Sequence, residues 1–560
     1  MREAMGGRDL SWDETAMTMN SVKDDRGLVD QLVRRYPPRR YRLDDYKRWF
    51  PKTARVMLRY LKHFRPLPAI GDAQQALPDG PAVGLVVVPW VSTPVPWYAI
   101  MLAIGLARRE RRVILFWDDT GFPEPRLKEQ SQAVAEVLAY TGRFLPVVRL
   151  TEAQDAPARP TDEQLIGSLT DQNLLWRVRG APPSERTARD QQLAERMRAS
   201  LARSLPRIRS ALARADLDCL VVPGGIYGTS GLFLAAAREQ GCRVATFDVD
   251  RHTAQICVSG IAAQHADVPR AFAALWNSGE EARAQAMTVA RAEFTRRTES
   301  VDRYGFQMVP ARGDGNGNGD GDGDEVAAVI PMNVEWDSAA LGRHVNFTDT
   351  IDWITSTVTT ILEEDCGTVI VRQHPSERRP QQRSRLDIAS ILQDRFGGDP
   401  RLRFVAADDP ANTYDLLRNA RLVLPFVSTI GIEAAAMGMP VLVAGDCFYD
   451  DLGFVWSAGS RDEYFYLLRR GLRGELPPLA HQSDRAWICY YLAAVQNRIW
   501  TDFNTHPDDF WTWCRRAPDS LFAEPETADI LEAIDRDIPV SLLRHQRLSS
   551  LGTNVSVGPR

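Results

Sequence analysis

The sequence predicts an α/β protein with two Rossmann-like domains that face a central cleft, and three observations support this prediction. Strand-length apolar runs such as "VGLVVVPWV" and "GTVIVRQHP" alternate with helix-length segments in two separate blocks. Continuous apolar runs of this kind are typical of parallel strands that are covered on both faces. A tract rich in glycine and aspartate separates the blocks, and a chain of 560 residues exceeds the ~100–200 residues of one domain.

Composition divides the chain into five segments. Residues 1–80 are charged and contain "DDYKRWFPKTARVMLRYLKHF", which predicts a helical N-terminal extension. The first Rossmann-like block covers 81–310, and the second covers 326–480. Residues 311–325 cannot bury a core and are expected to form a flexible linker. Residues 481–560 contain "RAWICYYLAAVQNRIWTDF" and indicate a helical segment that crosses back onto the first domain.

The linker also fits the calcium-loop pattern D-x-[DN]-x-[DN]-G-x5-E, from Asp314 to Glu325. No clear helix precedes this tract, and Gly321 stands where such loops usually have an apolar residue. A repeating glycine-acid sequence also matches the pattern by chance. We therefore favour a linker, with a calcium site as the alternative.

Charge and cysteine content exclude several classes of function. A net charge of −5 gives no overall basic field, so we expect no nucleic-acid partner. The seven cysteines form no C-x-x-C pair, which argues against a zinc cluster or a disulfide framework and favours a reducing compartment. The N-terminus lacks a signal-like apolar stretch, and no apolar run approaches the ~20 residues of a membrane span. We expect a cytoplasmic protein with at most peripheral membrane contact.

The stretch "LVLPFVSTIGIEAAAMGMPVLV" suggests a binding site at a strand-to-helix junction. Ser428 and Thr429 follow the strand and precede the helix, where backbone N–H groups can bind an anion. Gly431 would let a phosphate approach the backbone, and Glu433 could accept hydrogen bonds from ribose hydroxyls. In the alternative interpretation, Ser428 only caps the helix and Glu433 only complements its dipole.

The stretch "VRQHPSE" places a histidine after another strand. Pro375 disfavours helical backbone at His374, so the imidazole should be held extended at the carboxyl end of the sheet. Such an imidazole can donate to a phosphate or to a base carbonyl, with Arg372 and Glu377 on either side. The alternative is an ordinary surface histidine.

A third stretch, "PMNVEWDSA", follows the first strand of the second block and carries Asn333 and Asp337. Trp336 could stack on a ligand or simply pack. In a doubly wound sheet, ligands bind beyond the carboxyl ends of the strands, where loops from neighbouring strands meet. The convergence of three polar loops therefore predicts a nucleotide site.

The first block offers only candidates for a catalytic base. Asp118 and Asp119 follow the strand "VILFW", and Asp248, Asp250 and His252 follow "RVATF". A positioned carboxylate or imidazole that activates a hydroxyl contributes ~10²–10⁴ in rate. The alternative is that acids after strands are turn and cap residues. "GGIYGTSG" is not G-x-G-x-x-G, so no dinucleotide site is predicted.

Four motifs follow one another along the chain: N-x-x-W-D-S-A, R-x-H-P-x-E, S-T-x-G-x-E-A-x-x-x-G-x-P-V and "GDCFYDDLGF". Together they resemble the capsule polysaccharide biosynthesis family over about 326–454. That family is similar to the two-domain GT-B glycosyltransferases, including the Kdo transferases of capsule synthesis. The resemblance implies that His374, Pro375, Ser428 and Thr429 contact the nucleotide of a donor sugar, with Glu433 as a further contact. The first block shows no family catalytic motif.

The expected function is therefore transfer of a sugar from a nucleotide-activated donor to a glycan or lipid-linked acceptor in bacterial surface polysaccharide assembly. We expect no metal and no cofactor besides the nucleotide-sugar substrate, and possible peripheral contact with membrane polysaccharide machinery. Two alternatives stay open. One is a nucleotide-sugar 2-epimerase of the same fold, and the other is a non-catalytic sensor or scaffold of polysaccharide export.

Overall fold

The structure is a computed structural model. It describes residues 54–55, 57–58, 61–62, 80–90, 93, 95–120, 128–249, 253–299, 326–380, 382–500 and 522–550. The predictions for the linker, its calcium alternative, Asp250 and His252 concern residues outside these ranges.

Strands and helices alternate through most of the described chain. The strands are β1 (Ala82–Val87), β2 (Val113–Trp117), β3 (Val147–Arg149), β4 (Leu217–Pro223), β5 (Arg243–Val249), β6 (Thr253–Cys257), β7 (Val326–Pro331), β8 (Thr368–Arg372), β9 (Leu402–Val405), β10 (Ala420–Val423) and β11 (Ile499–Trp500). The α-helices are α1 (Val95–Arg108), α2 (Lys128–Thr141), α3 (Asp162–Arg177), α4 (Ala188–Ala213), α5 (Thr229–Glu239), α6 (Val268–Trp276), α7 (Glu280–Glu299), α8 (Thr350–Glu363), α9 (Ile388–Phe396), α10 (Thr413–Arg418), α11 (Ile430–Ala436), α12 (Arg461–Leu472), α13 (Gln482–Tyr490), α14 (Pro525–Arg536) and α15 (Val540–Ser550).

The first sheet has the strand order β11-β6-β5-β4-β1-β2-β3. Its strands β1 to β5 pair in parallel, in the order 3-2-1-4-5 of a Rossmann fold. β6 pairs antiparallel with β5, and β11 pairs antiparallel with β6. All six residues of β1 are buried, as expected for a central strand with helices on both faces.

The second sheet is wholly parallel and has the order β10-β7-β8-β9. Two parallel bridges, Val423 with Val441 and Leu442 with Trp456, extend the β10 edge. The helix α8 before β8 is capped by Asp349, whose carboxylate accepts the N–H of Asp352 at 2.8 Å. The structure thus confirms the predicted fold class of two Rossmann-like α/β units.

The hydrophobic cores do not divide at the predicted boundary near residue 310. Helices α6 and α7 bury Phe272, Leu275 and Phe294 in the core of the second sheet. Helices α14 and α15 instead pack Ile530, Leu531 and other apolar residues into the core of the first sheet. The chain therefore enters the second core before residue 268 and returns to the first core through β11.

The N-terminal residues that the structure describes are helical. Ala54, Met57 and Leu61 are three and four positions apart and are buried in the core of the first sheet. This spacing agrees with the predicted amphipathic helix. Within the described ranges, no helix combines the length and the apolar character that crossing a bilayer requires.

Candidate functional site

A cavity of about 530 Å³ lies between the two units at the carboxyl ends of their strands. Its volume is within the ~300–1,000 Å³ that is usual for small-molecule sites. The first unit lines it with Asp248, Thr253, Gln255, Gln264 and His265, among others. Arg498, directly before β11, also lines it. The second unit contributes mainly Asn333, Trp336, Asp337, Ser338, Arg343, His374, Ser428, Thr429 and Asp446.

His374 lies in the wall of this cavity, and its ring is held by the turn that follows it. The backbone N–H of Ser376 donates to its Nδ1 at 3.2 Å, and the Ser376 hydroxyl lies 2.7 Å from the same nitrogen. A backbone N–H can only donate, so Nδ1 accepts and the neutral ring carries its proton on Nε2. Burial and the neighbouring Arg372 lower the pKa of His374 to about 4. His374 is therefore a neutral hydrogen-bond donor at physiological pH.

Ser428 and Thr429 line the same cavity as His374. The helix that follows them, α11, spans seven residues, and the Thr429 side chain makes no capping bond. The Tyr449 hydroxyl donates to the carbonyl of Ser428 at 2.6 Å and fixes this loop. A Cβ on Gly431 would overlap that hydroxyl, so the space beside Gly431 is filled by Tyr449. The absence of a side chain at Gly431 is thus accounted for by Tyr449, and the approach of a phosphate to this backbone stays a prediction.

Asn333 and Asp337 also lie in the cavity wall. The N–H of Val427 donates to Asn333 Oδ1 at 3.3 Å, which ties the loop after β7 to the loop after β10. The N–H of Ala339 donates to Asp337 Oδ1 at 3.0 Å. The Asp337 carboxylate faces the solvent of the cavity, but the surrounding protein still raises its pKa by desolvation.

Arg372 and Glu377 act differently from the prediction that they contact a donor. The guanidinium of Arg372 is buried and donates to the carbonyls of Ala406 and Ala411. Glu377 is buried under the loop, where it accepts bonds from Gln373 at 3.0 Å and from Ser384. Pro375 is also buried. These side chains hold the loop that presents His374, and of the three only Arg372 and Pro375 border a small adjoining pocket.

Glu433 lies in that adjoining pocket of about 70 Å³, which shares His374, Ser428 and Thr429 with the main cavity. Both of its oxygens are engaged. Arg297 Nη1 donates to Oε1 at 2.8 Å, and the Tyr414 hydroxyl donates to Oε2 at 2.9 Å. Glu433 therefore forms a buried ion pair that joins α11 to the last turn of α7, and the ribose contact stays a prediction.

The two acids predicted after β2 do not reach the cavity. Asp118 is fully buried and accepts bonds from Thr120 and Thr229. Asp119 accepts the Thr151 N–H at 2.9 Å and pairs with Arg149 at 2.8 Å. Their oxygens hold turns of the first unit, so neither is a candidate for the catalytic base. Asp248, at the end of β5, does line the cavity.

Sequence reasoning missed His265, which lines the cavity from the first unit. The residue has a left-handed backbone with φ of 51°, and Asn497 Nδ2 donates to its Nδ1 at 3.0 Å. Its ring packs against Phe448 at 5.0 Å between centroids. Burial and Arg498 lower the pKa of His265 to about 4. Its only sequence signal is its position in a polar loop between a strand and the Asp-Val-Pro start of α6.

Several hydrogen bonds join the two units around the cavity. Gln264 donates to the carbonyls of Ser338 and Leu341, each at 3.2 Å, and accepts Arg343 Nη2 at 2.6 Å. Arg343 also pairs with Asp446 at 2.6 Å. The Arg179 guanidinium also stacks on Trp336, with its Cζ 3.9 Å from the ring centroid. Trp336 thus packs against the first unit and also lines the cavity.

No group of three or more His, Cys, Asp or Glu side chains within the described ranges is arranged to hold a metal ion.

Comparison with known families gives a match over the second unit. Residues 324–465 match the family described as capsule polysaccharide biosynthesis protein. This match covers the three loops that carry Asn333, His374 and Ser428, and it confirms the resemblance seen in the sequence. No curated protein matches the chain.

Several solved structures resemble the chain only distantly. The beta Kdo 2,4 transferase KpsC of Thermosulfurimonas dismutans is 15% identical with a TM-score of 0.34, and the match covers 53% of this chain and 87% of that one. A putative UDP-N-acetylglucosamine 2-epimerase from Listeria monocytogenes is 13% identical with a TM-score of 0.26, over 82% and 96% of the chains. MurG of Acinetobacter baumannii is 10% identical with a TM-score of 0.24, over 73% and 94%. These TM-scores are too low to support an inference about activity.

Proposed function

We propose, from the match of residues 324–465 to the capsule polysaccharide biosynthesis family, that this protein is a glycosyltransferase of surface polysaccharide assembly. It takes a nucleotide-activated sugar and transfers the sugar to a glycan or lipid-linked acceptor. The observation that carries the proposal is the convergence of Asn333, His374, Ser428 and Thr429 on one cavity between two Rossmann-like units.

The donor phosphate would be held by neutral hydrogen-bond donors. His374, Ser428 and Thr429 line the same cavity, and the Nε2–H of His374 and the two hydroxyls are the donors that these side chains can offer. Donors that are fixed before the reaction stabilise the charge that develops on the leaving phosphate. Because Glu377 and the turn of Ser376 fix the His374 loop, little reorganisation is needed when the donor binds.

The proton of the acceptor hydroxyl would go to a carboxylate in the cavity wall, Asp248 or Asp337. Both carboxylates raise the pKa of the half-buried Tyr227, so each lies within electrostatic reach of that side chain. A raised pKa, as at Asp337, favours proton transfer near neutral pH. Substitution of the true base by asparagine should lower kcat by ~10²–10⁴, and substitution of the other should not.

Nucleotide binding is the first test. The wild type is screened by thermal shift against CMP, UDP and GDP, and a nucleotide at 100 times its Kd should stabilise it by about 2.7 kcal/mol. His374→Ala, and Ser428→Ala combined with Thr429→Ala, should abolish the shift. Thr288→Ala, on the exposed face of α7, is the matched control and should leave it unchanged. A wild type that responds to no nucleotide would refute the proposal.

Product analysis then separates transfer from the other functions that the fold can serve. Donor incubated alone should give no new sugar species, whereas donor with an acceptor glycan should give an extended product. A changed sugar without acceptor would instead show epimerisation. Binding without any turnover would point to a sensor or scaffold. The proposed scheme needs no metal, so activity should survive EDTA.

A further inference from the structure

Two histidines, one from each unit, line the same cavity, and their rings have the same neutral tautomer. In His374 the backbone N–H of Ser376 donates to Nδ1, and in His265 the Asn497 amide donates to Nδ1. Each neutral ring therefore carries its proton on Nε2. Both rings lie next to an arginine, Arg372 for His374 and Arg498 for His265.

The setting of His265 indicates that its orientation is imposed by the fold. A left-handed backbone is uncommon for residues other than glycine and persists where the surroundings fix it. Asn497, which holds the ring, is fully buried. Phe448, from the second unit, covers one side of the imidazole. The ring is thus held by both units at the point where they meet.

We propose that His265 is a substrate-binding residue whose Nε2–H donates to an oxygen of the sugar carried by the donor, across the cavity from His374. This inference rests on the proposed function. The nucleotide is assigned to the loops of the second unit, within the matched residues 324–465. His265 belongs to the wall that the first unit provides, so it meets the part of the substrate that extends beyond the nucleotide.

The neutral state of both rings supports this assignment. A neutral imidazole with its proton on Nε2 is a hydrogen-bond donor on the side that faces the cavity, and it cannot accept a proton there. His265 therefore positions the sugar and does not replace the carboxylates proposed as the base. Burial and the charge of Arg498 keep the ring neutral, because both lower its pKa.

The test compares a nucleotide alone with its nucleotide-sugar by isothermal titration calorimetry. His265→Asn keeps a residue that tolerates the left-handed backbone but retracts the donor from the cavity. We expect its Kd for the nucleotide to stay within about twofold of wild type, and its Kd for the nucleotide-sugar to rise about 3- to 10-fold, the effect of one lost hydrogen bond. His481→Asn is the matched control, because His481 is also left-handed, with φ of 57°, but is exposed away from the cavity.

The outcomes separate the two proposals. Equal weakening of both ligands by His265→Asn, or weakening of neither, overturns the role of His265 while the proposed function stands. No binding of either ligand to the wild type overturns both. Nitrogen-15 NMR of histidine-labelled wild type gives a readout without substitution, and the His265 signal is identified by its loss in His265→Asn. A proton found on Nδ1 of His265 instead of Nε2 would overturn the proposal.

Discussion

Substitution of Gly431 by alanine should destabilise the protein through Tyr449 and not through loss of a phosphate contact. The new Cβ would overlap the Tyr449 hydroxyl, and it would lie 3.2 Å from Tyr449 Cζ and 3.0 Å from Pro425 Cγ. Tyr449 is fully buried and stacks on Phe454 with an interplanar angle of 13°, so it has little room to move. Overpacking of this kind costs ~1–3 kcal/mol, and the loss of the bond to the Ser428 carbonyl adds about 1 kcal/mol. We expect a total loss of about 2–4 kcal/mol.

A double-mutant cycle with Tyr449→Phe tests this cause. Tyr449→Phe alone should cost about 1 kcal/mol, because only the hydrogen bond to Ser428 is lost. In Gly431→Ala/Tyr449→Phe the Cβ no longer meets a hydroxyl, so the double variant should be more stable than Gly431→Ala alone. The assay is urea unfolding followed by tryptophan fluorescence. Additivity within ~0.5 kcal/mol would refute the reasoning, as would full stability of Gly431→Ala together with loss of nucleotide binding.

Three further predictions concern the side chains around the cavity. Glu433→Gln should lower the unfolding free energy, measured in urea, by about 2–3 kcal/mol, because Arg297 loses a buried charged partner. The control is Glu532→Gln, which breaks an exposed ion pair and should lower the unfolding free energy by less than about 1 kcal/mol. His374 has a pKa of about 4 when folded, against ~6.5 unfolded, so the unfolded state binds more protons between these values. Stability should therefore fall as pH drops from ~6.5 to ~4, and this group contributes at most about 1.4 kcal/mol per pH unit. Urea midpoints measured over a pH series should fall less steeply in His374→Asn than in wild type. Gln264→Leu removes three hydrogen bonds between the units, so small-angle X-ray scattering should show a larger radius of gyration than for wild type. An unchanged radius would contradict the role of Gln264 in holding the units together.

Much of the fold follows from local sequence, because buried parallel strands are recognisable as short apolar runs. The run "VGLVVVPWV" contains most of β1, and "LVLPF" overlaps the end of β10. Local pattern also places His374 and Ser428 after their strands, and the geometry of a parallel sheet then brings the two loops to one edge. Both side chains lie in the cavity for this reason.

The partners of the other predicted residues are distant in sequence, which is why their roles could not be predicted. Glu433 pairs with Arg297, 136 positions earlier, so its engagement depends on how α7 packs. Asp118 is held by Thr229, 111 positions later, and its burial follows from the sheet order. His265 carries no motif, and its ring is placed by Asn497, 232 positions away. Each of these contacts is set by tertiary packing, which a single sequence does not display.

The return of the chain to the first sheet through β11 has a mechanical consequence. The two units are connected twice, once between Val258 and Val268 and again just before Ile499. Two bodies joined at two points turn about the line through those points more readily than in any other direction. Asn497 and Arg498 lie on the second connection, so such a rotation would be transmitted directly to the imidazole of His265.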